Sequence, residues 1–242
     1  QLGGTAIPIQ EIAPDLFAPA DPGVLQSAED RILLRKSDLG NAFKATLPGN
    51  VTVLLKEAPL VADLAFGDSE RGMALMSNLT LLSKNAAFVS QLRSLSHSNL
   101  VAFQGLSHSP HLATHSLYDN GQNLGAYIRE NPKCSLSTKV KILLDIAFAI
   151  EHLHRQTPVL LHGNIKPNNI LVTKTNESDT GVVAKTTDYA LMAEIVNMNS
   201  YALPSPSWMW QAPEVFVGGK MTTKSDAFSF GTLVWYLWSC DD

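Results

Sequence analysis

This chain of 242 residues is short of cysteine, of charge and of long apolar runs, and each shortage excludes something. Cys134 and Cys240 are its only cysteines and lie far apart in sequence. A disulfide framework is therefore not indicated, and a reducing compartment is expected. In such a compartment the sequons at Asn50, Asn78 and Asn176 are chance matches. No apolar run reaches about 18 residues, so no segment of this chain is expected to insert directly into a membrane. Charged residues make up 17% of the chain, below the usual quarter, which points to a surface of uncharged Ser, Asn and Thr. With 18 Lys and Arg against 22 Asp and Glu the net charge is −4, and no basic cluster appears. A nucleic-acid partner is excluded on that ground. No His/Cys spacing fits zinc.

What is present is an apolar fraction of 45%, enough for a core in one large domain or two small lobes. Residues 1–27 hold Pro8, Pro14, Pro19 and Pro22 with little periodicity and read as a linker or docking arm. "NAFKATL" and "VTVLLKE", separated by Pro48-Gly49-Asn50, predict a hairpin. Residues 58–80 read as an insertion. Phe88, Leu92 and Leu95 mark one face of a helix over 83–95. "LVAFQGL" and "HLATHSL" predict two strands, and "LGAYIRE" a short helix. A longer helix over 137–154 carries the stripe Val140, Leu143, Leu144, Ala147, Ile150 and Leu153, with Ser135 or Ser137 as its cap. After "LLHGNIKPNNILV" come short strands, a loop with Pro204, Pro206 and Pro213, and a helix near 225–239. Strands first and helices later predict an α+β body of two lobes. The chain starts at Gln1 with no signal-peptide pattern and is expected to be a piece of something longer.

The order of these motifs resembles the eukaryotic protein kinase fold over about residues 31–242. The wording of "HGNIKPNNILV" and "FKATLPGN" is most similar to inactive receptor-like kinases of the tyrosine-kinase-like group. "VLLK", "LSHSNLV" and "SFGTLVW" also resemble the pseudokinase domain of Janus kinases. The resemblance implies a β-rich small lobe at 28–117 and a helical large lobe at 118–242, incomplete at its C-terminus.

It also implies roles, residue by residue. Lys56 stands at the third-strand lysine that holds nucleotide phosphates. Phe88 stands where its partner glutamate belongs, so either Lys56 finds another carboxylate such as Asp188 or the small lobe takes an unusual pose. The glycine loop reads Arg35-Lys36-Ser37-Asp38-Leu39-Gly40 and keeps only Gly40. Side chains there obstruct the approach of backbone N–H groups to phosphates, and Asp38 adds negative charge. Ala42 and Leu54 would roof the adenine pocket, Thr114 would guard its back, His115 to Leu117 would form the hinge, and Leu171 the floor. His162-Gly163-Asn164 replaces His-Arg-Asp. An amide has no basic site near neutral pH, so Asn164 cannot serve as general base, a loss of roughly 10²- to 10⁴-fold in rate. Gly163 removes the arginine that grips a phosphorylated activation loop. Lys166 would approach the γ-phosphate, and Asn169 and Asp188 would hold Mg²⁺. Ala190 takes the place of a glycine after Asp188-Tyr189.

Leu92, Phe103, His162 and Tyr189 match the apolar column that joins the lobes. Asp226 would tether the loop backbone, and Glu214 would lack its usual arginine. His97 and His154 read as structural, His152 as exposed, and the four tryptophans as packing residues. Ser200, Tyr201, Ser205 and Ser207 are candidate phosphorylation positions. The expected function is a catalytically inactive kinase-like domain, a pseudokinase that regulates or scaffolds signalling, either as a purely structural module or with ATP and Mg²⁺ as ligands. Its expected partner is an active kinase or receptor complex, and its expected place is the cytoplasm, as the cytoplasmic domain of a receptor. The alternative is a weak or atypical serine/threonine kinase.

Overall fold

The computed structural model describes residues 32–37, 40–47, 51–57, 85–107, 113–117, 121–176, 178–199 and 208–239. The arm at 1–27, the insertion at 58–80, Pro204, Pro206 and the four candidate phosphorylation positions lie outside the described residues.

Strands β1 (Ile32–Ser37), β2 (Gly40–Leu47), β3 (Val51–Glu57), β4 (Phe103–Ser107) and β5 (Ala113–Leu117) form one antiparallel sheet in the order β1-β2-β3-β5-β4. The hairpin expected around Pro48-Gly49-Asn50 is present, with Leu47 paired to Val51 and Ala45 to Val53. Ala45 and Val53 are both buried, as the two-residue period of a half-buried strand requires. Between β3 and β4 lies helix α1 (Ala86–Ser94). Asn85 caps it by accepting from Phe88 N, satisfying one of the orphan donors of the first turn. Its face of Phe88, Leu92 and the following Leu95 is buried, as the spacing predicts.

The later part is helical around a small sheet. Strands β6 (Gln122–Asn123), β7 (Ile170–Lys174) and β8 (Val182–Thr186) pair in that order. Around them run α2 (Leu124–Glu130), α3 (Leu136–His154), α4 (Leu191–Asn199), α5 (Pro213–Phe216) and α6 (Thr223–Ser239). Ser135 caps α3 by accepting from Thr138 N. The α+β reading with strands first and helices later therefore holds.

The phase of α3 differs from the expected stripe. Leu143, Ile150 and Leu153 are buried, but Val140 and Leu144 are exposed, and the buried line runs through Ile142, Ile146 and Ala149 instead. The helix is apolar around more than half its girth, so periodicity cannot choose a face. The choice falls to the partners, Val172, Val182, Ala184, Leu233 and Leu237, which share one core cluster with Ile142 and Ile146. Fully burying one such side chain contributes about 1.5–3 kcal/mol. The same rotation buries Asp145, whose carboxylate accepts from Ala184 N at 2.9 Å and from Lys141 Nζ at 2.5 Å.

The tryptophans also depart from expectation. Trp210 is half-buried against Tyr236, edge to face at 5.7 Å, whereas Trp208, Trp235 and Trp238 are exposed. Helix α6 buries Ser225, Asp226, Leu233 and Leu237, which leaves Trp235 and Trp238 on its other side.

The two parts meet at the loop after α1. Val101 N donates to Thr186 O and Thr186 N to Asn99 O, both at 2.9 Å, while the Asn99 amide donates to Ala184 O. The residues before β4 are thereby zipped onto the end of β8, which leads directly into Asp188.

Candidate functional site

Between α3 and β7, the backbone at 162–169 is held from below by one carboxylate. Asp226, buried in the first turn of α6, accepts from His162 N at 2.7 Å and from Gly163 N at 2.8 Å. Its Oδ2 also meets His154 Nε2 at 2.8 Å. Charge-assisted bonds of this kind are about twice as strong as neutral ones, so the loop is fixed as the resemblance implies. His154 is structural in that it completes this knot.

The His162 ring is fully buried. Its Nδ1 accepts from Asn164 N at 3.3 Å, which assigns the proton to Nε2, and Nε2 donates to Thr186 Oγ1 at 2.5 Å. Burial holds the imidazole below its ordinary value of 6.5, the Asp226 charge pulling the other way. Thr186 Oγ1 in turn donates to Asn169 O at 3.2 Å, and Asn169 Nδ2 donates to Asn164 O at 2.9 Å. A continuous polar chain therefore runs from Asp226 through His162 and Thr186 to Asn169 and Asn164. Thr186 was not singled out from sequence. Its signal was a polar residue at an inward position of the alternating strand "VVAKT".

The positions expected to face a nucleotide fall into two groups. On the loop side, Lys166 and Asn169 are buried and Asn164 is half-buried. Leu171 is half-buried on β7. Thr187 N donates to Asn169 O at 2.9 Å, which brings Asn169 and Asp188 side by side in the backbone. Asp188 takes a positive φ of 61° and Ala190 one of 67°. The second falls where a glycine is expected and costs an alanine of order 1–2 kcal/mol. It is held by its neighbours: Ala190 N donates to His162 O, and Tyr189 is buried with its hydroxyl donating to Val101 O at 2.9 Å. Burial pushes the Tyr189 phenol well above its usual range. Tyr189 lies edge to face with His162 at 6.4 Å and shares a cluster with Leu92 and Phe103, so the expected apolar column is assembled.

On the sheet side, the backbone of Lys56 pairs with Ala42 on β2 and Thr114 on β5, which aligns three of the expected pocket positions in one row. Leu54 is buried and pairs with Ser116, between His115 and Leu117. Ser37 pairs with Gly40 across the hairpin that replaces the glycine loop. Phe88 is buried among Leu92, Phe103, Tyr189, Leu191 and Met192. A phenyl ring in that apolar cluster carries no charge with which to form an ion pair with an ammonium.

Glu214 is exposed and accepts from Ser225 Oγ at 2.9 Å, so the carboxylate expected to lack its arginine is not buried. One expectation fails here. His152 is half-buried, its ring 4.9 Å from that of His97, because the turn before Asn99 folds back over α3. Burial, with His152 beside it, holds His97 below the ordinary imidazole value.

A buried aspartate under a His-x-Asn loop, an Asn169–Asp188 pair and a strand lysine in register with both its neighbours are the parts list of one known architecture. The profile described as "Protein tyrosine and serine/threonine kinase" matches residues 78–241. The chain belongs to the protein kinase family. It is 28% identical over 186 residues to the probable serine/threonine-protein kinase roco8 of Dictyostelium discoideum, covering 75% of this chain and 10% of that protein. It is 35% identical over 152 residues to the putative serine/threonine-protein kinase/receptor R831 of Acanthamoeba polyphaga mimivirus, covering 62% of this chain and 9% of that protein. To the putative L-type lectin-domain containing receptor kinase V.8 of Arabidopsis thaliana it is 28% identical, over 85% of this chain and 31% of that protein. The chain thus spans about a tenth to a third of the length of these relatives. Among solved structures, the kinase domain of maize SIRK1, a sucrose-induced receptor kinase bound to AMP-PNP, matches with a TM-score of 0.59 and 27% identity. That match covers 86% of this chain and 68% of the other.

The donor set of this kinase domain fits the metal its family employs. Asn169 commits its Nδ2 to Asn164 O, so the side chain offers its amide oxygen, and Asp188 offers a carboxylate. Hard oxygen donors of this kind suit Mg²⁺, which keeps several waters and takes the rest of its shell from phosphates. Bound there, the ion would neutralise phosphate charge, and Asn169 and Asp188 would hold it. Among the described residues there is no cluster of three or more His, Cys, Asp or Glu able to hold a metal unaided, and no helix is long and apolar enough to cross a membrane.

Proposed function

We propose that this chain is a pseudokinase: a kinase domain that binds ATP with Mg²⁺ and regulates or scaffolds an active kinase or receptor complex without transferring phosphate. Asn164 carries the reading. It occupies the position from which a kinase accepts the acceptor hydroxyl's proton, inside a loop whose supporting hydrogen bonds are all made. An amide there cannot take a proton. Phe88 supports the same reading, since the ion pair that orders the strand lysine has no carboxylate on α1. We place the small lobe at 28–117 and the large lobe at 118–242, with Lys56, Leu54, Ala42, Gly40, Thr114, His115, Leu117, Lys166, Asn169 and Leu171 around the nucleotide. The receptor kinases among its relatives support a place on the cytoplasmic face of a membrane receptor.

A second reading, a weak serine/threonine kinase, is favoured by the retention of Lys166, Asn169 and Asp188. One experiment separates the two. The protein is melted with and without millimolar Mg²⁺-ATP, then incubated with radiolabelled ATP and a generic phospho-acceptor. A pseudokinase that binds nucleotide melts higher with Mg²⁺-ATP and labels nothing. Labelling that disappears on Lys166→Ala supports the weak kinase, and an unchanged melting temperature removes ATP from the proposal.

A further inference from the structure

Two histidines face each other where the turn between α1 and β4 meets α3. His97, in that turn, and His152, on α3, have ring centroids 4.9 Å apart and planes tilted by 30°. Each ring uses one nitrogen as an acceptor. His97 Nδ1 accepts from Asn99 N at 3.1 Å. His152 Nε2 lies 3.4 Å from Gln156 Nε2, an amide nitrogen that also donates to His152 O at 2.9 Å and so can only donate to the ring. Both contacts require a neutral imidazole, because an imidazolium carries a proton on each nitrogen and has nothing left to accept with. The residue that His97 holds, Asn99, is buried and makes the junction between the two parts of the fold. Its amide donates to Ala184 O, its carbonyl accepts from Thr186 N, and Val101 N just beyond it donates to Thr186 O, each at 2.9 Å.

We infer that His97 and His152 form a pH-sensitive latch on this junction, closed while both rings are neutral and loosened when one takes a proton. A proton on His97 Nδ1 would point at the Asn99 N–H and leave that donor without its acceptor. Two charged rings at this separation would also repel. The nearby carboxylates are already engaged: on α3, Asp145 is held by Lys141 and by Ala184 N, and Glu151 by Arg155 at 2.8 Å. The ionisable residues of the other two elements here, Arg93 on α1 and Lys185 on β8, are both positive. Burial first and His152 second hold His97 below 6.5, while Asp145 and Glu151 pull the other way. As pH falls below 6.5 the opened turn therefore takes up a proton that the closed turn refuses. Closure is fully present above that value and is lost progressively on its acid side. The latch needs neither nucleotide nor phosphate transfer.

The test is hydrogen exchange on the intact protein at pH 7.5 and pH 5.5, read as protection factors at Val101 N and Thr186 N. Between the two pH values, protection there is expected to fall about three- to tenfold further than over 142–149 of α3, the range that one proton allows. His97→Asn keeps a side-chain acceptor for the backbone N–H two residues on and removes the titration. That variant is expected to lose the extra fall. His162 is present in both proteins, so its contribution cancels in the comparison. A fall at the two junction amides no larger than that over 142–149 overturns the proposal, and so does an extra fall that survives in His97→Asn. If His97→Asn does not fold, His152→Phe decides. It keeps an aromatic ring against His97 and removes the repelling charge, so the extra fall shrinks; an extra fall of unchanged size overturns the latch.

Discussion

On the face of the catalytic loop turned toward α6, Asp226 accepts from two backbone amides and meets His154, and His162 is bonded at both ring nitrogens. On the face turned toward the cleft, Asn164 stands where a base belongs, and Gly163 presents no side chain at all. The two faces share a backbone and are separated by a single layer of atoms. The inner face answers to folding, where a missing partner strands a buried polar group. At Asn164 the outer face answers to chemistry, and changing that side chain costs the fold little, whereas Gly163 is held to glycine by Ala193. The bonds that hold the loop's shape therefore do not involve the side chain at 164.

That contrast can be broken most directly at its inner face. Asp226→Ala removes the acceptor of two buried amides and should destabilise the protein by roughly 3–5 kcal/mol, read as a shift in the denaturant midpoint. A loss below about 1 kcal/mol would show that the loop does not depend on its tether. Thr186→Val deprives His162 Nε2 of its acceptor and should cost about 1–3 kcal/mol, with Thr186→Ser recovering most of it.

The inner face should also be sensitive to pH. His162 is buried in its neutral form, so its folded value lies below 6.5. As pH falls below 6.5 the unfolded chain takes up a proton that the folded chain refuses. The stability is fully present above that value and declines below it. His162 contributes a slope of up to about 1.4 kcal/mol per pH unit until its folded value is reached. Denaturation midpoints between pH 7.5 and pH 5, measured for the protein and for His162→Gln, isolate that slope by difference. A variant that keeps the full pH dependence would remove His162 as its source.

The smallest effect on stability belongs to the outer face. Asn164→Asp should change stability by no more than about 0.5 kcal/mol. It should also fail to restore robust phosphate transfer, because Phe88 still offers Lys56 no carboxylate. Vigorous turnover by that single variant would falsify the view that more than one catalytic part is missing.

Much of this was legible in the chain before folding. The hairpin around Pro48-Gly49-Asn50 and the Ser135 cap follow from local spacing, and the column through Leu92 and Tyr189 from the resemblance, and the structure reproduces all three; the Asn85 cap was not anticipated. Less legible was which side of α3 would be buried, because Val140, Leu144 and Phe148 form as good a stripe as Ile142, Ile146 and Ala149. The exposure of Trp235 and Trp238 was hidden for the same reason, since a hydrophobic residue on an apolar helix does not declare its direction. The Ser225 hydroxyl on Glu214, eleven residues away, was not foreseen, because only the arginine that the resemblance implies was considered.

What the sequence by itself determined is the identity of the groups: an amide at 164, a phenyl ring at 88, no side chain at 163, and oxygen donors at 169 and 188. Those identities set which protons can move and which charges can be neutralised, because such properties belong to each residue's own atoms. Only the tertiary structure decided that Thr186 would complete His162 and that Ala193 would lie against Gly163. It likewise placed the first residues of α4 in one cluster with Phe88. Those are contacts between residues 24 to about 100 positions apart, and distance along a chain carries no information about them until packing brings the elements together.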